Sequence, residues 1–120
     1  MMNEASGICA TVLVVEDIDW IRAGMKRSLG VYNYQVIEAS DDEEAIEIAS
    51  RTCPDLVLTE EQLPAFDALT HRLREHPLLC HVPVVIINPD AEEGIHYGDI
   101  NVLPDYGRIE HLLAALRSQP

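Results

Sequence analysis

Positive charge is scarce in this chain: 8 Lys and Arg stand against 21 Asp and Glu, a formal net charge of −13. A surface that grips phosphates needs the opposite balance, so nucleic acid is excluded as a direct partner, and so are anionic membrane surfaces. No apolar run approaches the length that crosses a bilayer. The first ten residues are polar and lack a basic start leading into an apolar stretch, so no secretory signal is read there. Cysteine is limited to Cys9, Cys53 and Cys80, an odd number without CxxC spacing. Reduced thiols in the cytoplasm are the expectation, and neither a disulfide framework nor a cysteine nucleophile is supported. The five histidines are scattered without ligand spacing and read as solvated surface. No Gly-rich phosphate loop follows the first apolar run, which counts against nucleotide or flavin binding. A Ser-His-Asp order is missing too, and nothing else marks an enzyme.

What is present is a short periodic pattern. With 120 residues the chain is expected to form one domain, 1–120, with residues 1–10 as a polar leader. Residues 11–16 are a continuous Val/Leu run, the mark of a strand buried on both faces. Asp17 to Leu29 carries Ile21, Met25 and Leu29 at fourfold spacing and predicts a helix closed by Gly30. Tyr34 to Ala39 predicts a second strand, and Ser40-Asp41-Asp42-Glu43 a capping box opening a second helix. Strands follow over Asp55–Thr59, Val82–Ile87 and Asp99–Leu103, with helices over Pro64–Glu75 and Gly107–Ser118. The last helix carries Ile109, Leu112, Leu113 and Leu116 on one stripe. Apolar strands alternating with helices predict an α/β, doubly wound parallel sheet whose working crevice lies at the strand carboxyl ends. Glu16, Asp17, Glu60, Asn88 and Leu103 all fall at such ends.

The runs Val12-Leu13-Val14-Val15-Glu16-Asp17, Pro54-Asp55-Leu56-Val57-Leu58-Thr59-Glu60 with Leu63-Pro64, Val82-Pro83-Val84-Val85-Ile86-Ile87, and Leu103-Pro104 stand in a specific order and spacing. Together they resemble the response regulator receiver domain, the CheY-like family of two-component signalling, over nearly the whole chain. The resemblance implies a flavodoxin-like sheet of five parallel strands in the order 2-1-3-4-5. It also implies a phosphoryl group passed from a histidine kinase to an aspartate beside magnesium. Glu16 and Asp17 match the family's metal-binding acids, and Gln62 would supply its backbone carbonyl ligand. The phosphoacceptor aspartate aligns with Glu60. The switch hydroxyl aligns with Asn88, the phosphate-binding lysine with Leu103 and the switch aromatic with Ile100.

Those departures are cumulative. Glu60 carries one methylene more than aspartate, which places its carboxylate where the incoming phosphoryl would sit, and in-line transfer depends on position. Leu103 cannot neutralise phosphate, and Asn88 offers an amide rather than a hydroxyl. Asp55, at the opposite end of its strand, is no substitute. Between the fourth strand and the fifth, only Pro89 to Gly98 is available, about two helical turns short of the usual fourth helix. That helix is expected to be shortened or absent. Glu60 reads first as part of a relic pocket, second as a mimic of a phosphorylated aspartate, third as a cation ligand beside Glu16 and Asp17. The expected function is a phosphorylation-independent protein-interaction module in two-component or phosphorelay signalling, with no cofactor required. Its partners would be signalling proteins, a histidine kinase or an output protein, and a homodimer through the last helix and fifth strand. Two alternatives stand beside it: a magnesium-binding receiver modified unconventionally, and a small flavodoxin-like binding domain unrelated to phosphotransfer.

Overall fold

The computed structural model describes residues 10–59, 63–91, 96–97 and 100–117. The apolar runs become β1 (Thr11–Val15), β2 (Gln35–Ala39), β3 (Leu56–Thr59), β4 (Val84–Ile87) and β6 (Ile100–Leu103). These five pair in parallel in the spatial order β2-β1-β3-β4-β6. The helices are α1 (Asp19–Gly30), α2 (Asp42–Thr52), α3 (Leu63–Glu75) and α4 (Arg108–Arg117). A strand side chain alternates between faces, so each strand feeds two cores. Leu13, Val57, Val84 and Ile100 pack with Ala45 and Ala49 of α2 and Leu69 and Leu73 of α3. Val12, Leu58, Val85 and Leu103 pack on the other face with Met25 and Leu29 of α1 and Ile109 and Leu113 of α4. Burial on both faces explains why these strands read as continuous rather than alternating apolar runs.

The order expected for five parallel strands is the order found. A further strand, β5, was not foreseen: His96–Tyr97 lies antiparallel on β6, pairing Tyr97 with Ile100 and His96 with Asn101. Among the described residues between β4 and β6 there is no helix. Asn88 to Ala91 instead make a turn closed by the Ala91 N–H on the Asn88 carbonyl at 2.9 Å.

Two local expectations are corrected. The N-cap of α2 is Asp41, not Ser40: its side chain accepts from the Glu44 N–H at 2.8 Å. Glu44 in turn accepts from the Ser40 N–H at 2.7 Å and its hydroxyl at 2.8 Å, so the returning bond reaches the residue before the cap rather than the cap itself. Those two bonds hold the Glu44 carboxyl below its usual range. Asp41→Ala is therefore expected to cost about 1 kcal/mol, read as a lower urea midpoint. Gly30 is the last residue of α1 rather than a left-handed stop; Asn33 takes that backbone conformation (φ 65°) in the turn before β2. Asparagine tolerates this region better than most residues. At the far end of the sheet Asp55 accepts from the Thr11 N–H at 2.8 Å, a brace between β1 and β3 away from the crevice.

Candidate functional site

β1 delivers Glu16 and Asp17 to the carboxyl edge of the sheet. Glu16 is 2% exposed. Its N–H extends the ladder to the Ala39 carbonyl at 3.0 Å, and its carboxylate accepts from the Ile18 N–H at 3.1 Å. Asp17 points to solvent. Buried charge demands partners, and the sequence reading overlooked the principal organiser of this corner, Arg22. Its guanidinium donates to the Glu16 carbonyl at 2.6 Å, to Asp19 at 2.6 Å and to Glu38 on β2 at 3.3 Å. Lys26 reaches the second oxygen of Glu38 at 3.2 Å. The bond to Asp19 raises the Arg22 pKa further above its ordinary value, so the cation is permanent. The one sequence signal was local: Asp19 and Arg22 sit three apart on α1.

β3 ends at Thr59, which is fully buried. Glu60 and Gln62, next along the chain, lie outside the described residues, so the roles expected of them as phosphoacceptor equivalent and carbonyl ligand are expectations still. Asn88 follows β4 and is exposed. Its N–H donates to the Leu103 carbonyl at 2.8 Å, and its side-chain oxygen accepts from the Asp90 N–H at 3.0 Å. That is an Asx turn, with the side-chain carbonyl committed to its own loop. Leu103, at the end of β6, is 9% exposed and lies in the apolar cluster with Val85, Ile87, Ile109 and Leu113. Ile100 is buried in the cluster on the opposite face. The crevice edge thus combines a buried acid, a solvated acid and a fixed arginine. Leu103, the residue that the resemblance aligns with a phosphate-binding lysine, brings an aliphatic side chain to the same edge.

The described residues contain no group of three or more His, Cys, Asp or Glu side chains placed to hold a metal. Glu16 and Asp17 still fit the oxygen chemistry of magnesium, which takes one or two carboxylates and keeps several waters. Beside them, Trp20 in the first turn of α1 is 75% exposed. It opens a groove that runs past Gly24 and Arg27 towards Tyr106.

The model of the response regulator receiver domain matches residues 12–115. The chain belongs to that family. Among curated relatives, the response regulator PleD of Caulobacter vibrioides is 34% identical over 80 residues, 65% of this chain and 18% of its own length. The sensor histidine kinase TmoS of Ectopseudomonas mendocina is 32% identical over 84 residues, 68% of this chain and 8% of that protein. The receiver therefore spans less than a fifth of either relative. In fold it is similar to the receiver domain of a signal transduction histidine kinase from Syntrophus aciditrophicus (TM-score 0.70, 22% identity, 92% of this chain and 95% of that one). It is similar also to the receiver domain of the sensor histidine kinase PA1611 from Pseudomonas aeruginosa, solved with magnesium coordinated in its active site cleft (TM-score 0.66, 21% identity, 88% and 95% covered). Receiver domains are signalling modules, and this one belongs to two-component signalling.

Proposed function

We propose that this receiver works as a protein-interaction module without aspartyl phosphorylation. The observation that carries the reading is Leu103, an apolar side chain packed into the core where a phosphate would need a cation. Asn88 adds to it, because an amide whose oxygen is held by the Asp90 N–H is poorly placed to follow a phosphoryl group. Glu60 is then the acid of a relic pocket rather than a nucleophile. The chain acts as one domain and has no enzymatic step of its own. Its place of action is the cytoplasm, and its partners are proteins of the same signalling pathway, a histidine kinase or an output protein among them. A homodimer through α4 and β6 is part of the reading, supported by the 43% exposed Leu116 at the end of α4.

The second reading, a magnesium-binding receiver with an unconventional modification, draws on Glu16 and Asp17. Magnesium would be held by those two carboxylates, where its charge would offset the buried acid. The reading of the chain as a flavodoxin-like domain unrelated to phosphotransfer loses its ground to the family match.

Amide NMR spectra distinguish the first reading from the second. Magnesium is allowed to shift resonances around Glu16 and Trp20. Adding a small phosphodonor to the magnesium-loaded sample should then leave Asn88–Ala91 and α4 where they were. New, slowly decaying shifts in those segments would favour the second reading.

A further inference from the structure

Gly24 has no packing or backbone reason to be glycine. It lies in the middle of α1, where glycine is less favourable than alanine because it gives up more backbone freedom on folding. Its φ is outside the left-handed region, and among the described residues an added Cβ would meet one atom beyond the helix backbone, Nη2 of Arg27 at 3.8 Å. What the glycine provides is space. Trp20, Gly24 and Ser28 recur every four residues and form one stripe of α1. The gap at Gly24 leaves a groove of about 470 Å³ between that stripe and Tyr106, with Arg27 and the buried Met25 also in its lining. Small-molecule sites span about 300–1,000 Å³. A single turn of helix, about 5.4 Å long and 10–12 Å across, would already fill this one, so the groove suits a small ligand better than a partner helix.

Two of the lining side chains have unmet requirements. The Trp20 indole is 75% exposed, a large apolar ring with nothing over it among the described residues. Arg27 is exposed and, among the described residues, makes no ion pair or hydrogen bond, in a chain with 21 acids for 8 bases. Arg22 and Lys26, the other cations of α1, both turn to Glu38. The net charge of −13 repels anions from most of the surface, and an uncommitted guanidinium marks the place where one can settle.

We propose that this groove binds a small planar aromatic carboxylate. The ring lies against Trp20 in the space left by Gly24, and the carboxylate accepts two N–H bonds from Arg27, with the Ser28 hydroxyl as a further donor. A neutral aromatic would leave Arg27 unpaired, and an inorganic anion would leave Trp20 uncovered. A flat apolar body with one negative charge meets both demands. The site goes beyond the proposed function and is tested without phosphodonor or metal.

Naphthoate titrated into the full chain, followed by its amide and indole NMR signals, carries the test. Saturable shifts of the Trp20 indole and of the Gly24 and Ser28 amides are expected, with a dissociation constant of about 1 mM or tighter for a probe of this size. Naphthamide, of the same shape without the charge, should bind at least about tenfold more weakly, as loss of a charge-assisted pair dictates. Arg27→Gln should erase that preference. Gly24→Leu should fold with an unchanged or higher urea midpoint and lose the naphthoate shifts. The proposal is overturned if naphthoate gives no saturable shift at these residues, if naphthamide binds as well, or if Arg27→Gln keeps the wild-type affinity. It also falls if Gly24→Leu still binds or fails to fold. A concentration-dependent dimer that Trp20→Ala disperses would assign the groove to a second copy of the chain and overturn it too.

Discussion

Leu103→Lys, which would put a lysine where the family resemblance expects a phosphate-binding one, is expected to lower the stability of the chain by about 2–4 kcal/mol. The leucine fills a site between Ile87, Ile109 and Leu113 and is 9% exposed. Burying such a side chain contributes about 1.5–3 kcal/mol, and an ammonium left among those neighbours adds a desolvation cost. The position lies at the strand end, so the lysine stem can lead the charge outwards, and this keeps the loss below that of a mid-strand charge. Against a total of about 5–15 kcal/mol for a domain of this kind, such a loss is easily read in urea denaturation. An unchanged midpoint would show that the side chain at this position faces the crevice, and the argument against phosphate sensing would lose its main support.

Arg22→Ala is expected to cost about 2 kcal/mol, and far more than Lys26→Ala, although both residues bond to Glu38. The difference lies in what each leaves behind. Without Arg22 the carbonyl of Glu16, a residue 2% exposed, loses a 2.6 Å donor, and an unsatisfied buried acceptor costs about 1–3 kcal/mol. The ion pair with Asp19, whose side chain is 91% exposed, adds little. Among the described residues Lys26 makes the surface bond to Glu38 alone, so its removal should stay within about 0.5 kcal/mol. Arg22→Lys keeps the charge but cannot span three acceptors from one nitrogen, and should recover less than half of the loss. Chemical denaturation of the three variants side by side checks the ranking. Equal losses for Arg22→Ala and Lys26→Ala would mean that Arg22 does not organise the acidic corner.

The parallel sheet was legible because its signal is dense. Val12 to Val15 and Val84 to Ile87 are apolar at every position, and only a strand covered on both faces needs that. Capping chemistry was legible in kind but not in register, since serine and aspartate are both good caps and Ser40-Asp41 offers both. The turn after α1 was misassigned for a similar reason: Gly30 is the stronger left-handed former, yet the Tyr32 and Asn33 N–H groups close back on Leu29 and Gly30 and push that conformation on to Asn33. β5 is two residues long and exists only by pairing with β6, so no local pattern announces it. At the crevice, Glu16, Asp17, Asn88 and Leu103 could be placed from their positions after apolar runs. Arg22 could not, because Glu38, which ties it to the sheet, lies sixteen residues away.

Intact-mass measurement after incubation with a small phosphodonor and magnesium addresses the central claim most directly. The account predicts a single species at the unmodified mass for the wild-type chain. A phosphoryl adduct that maps to Glu60, or to any other carboxylate, would contradict it.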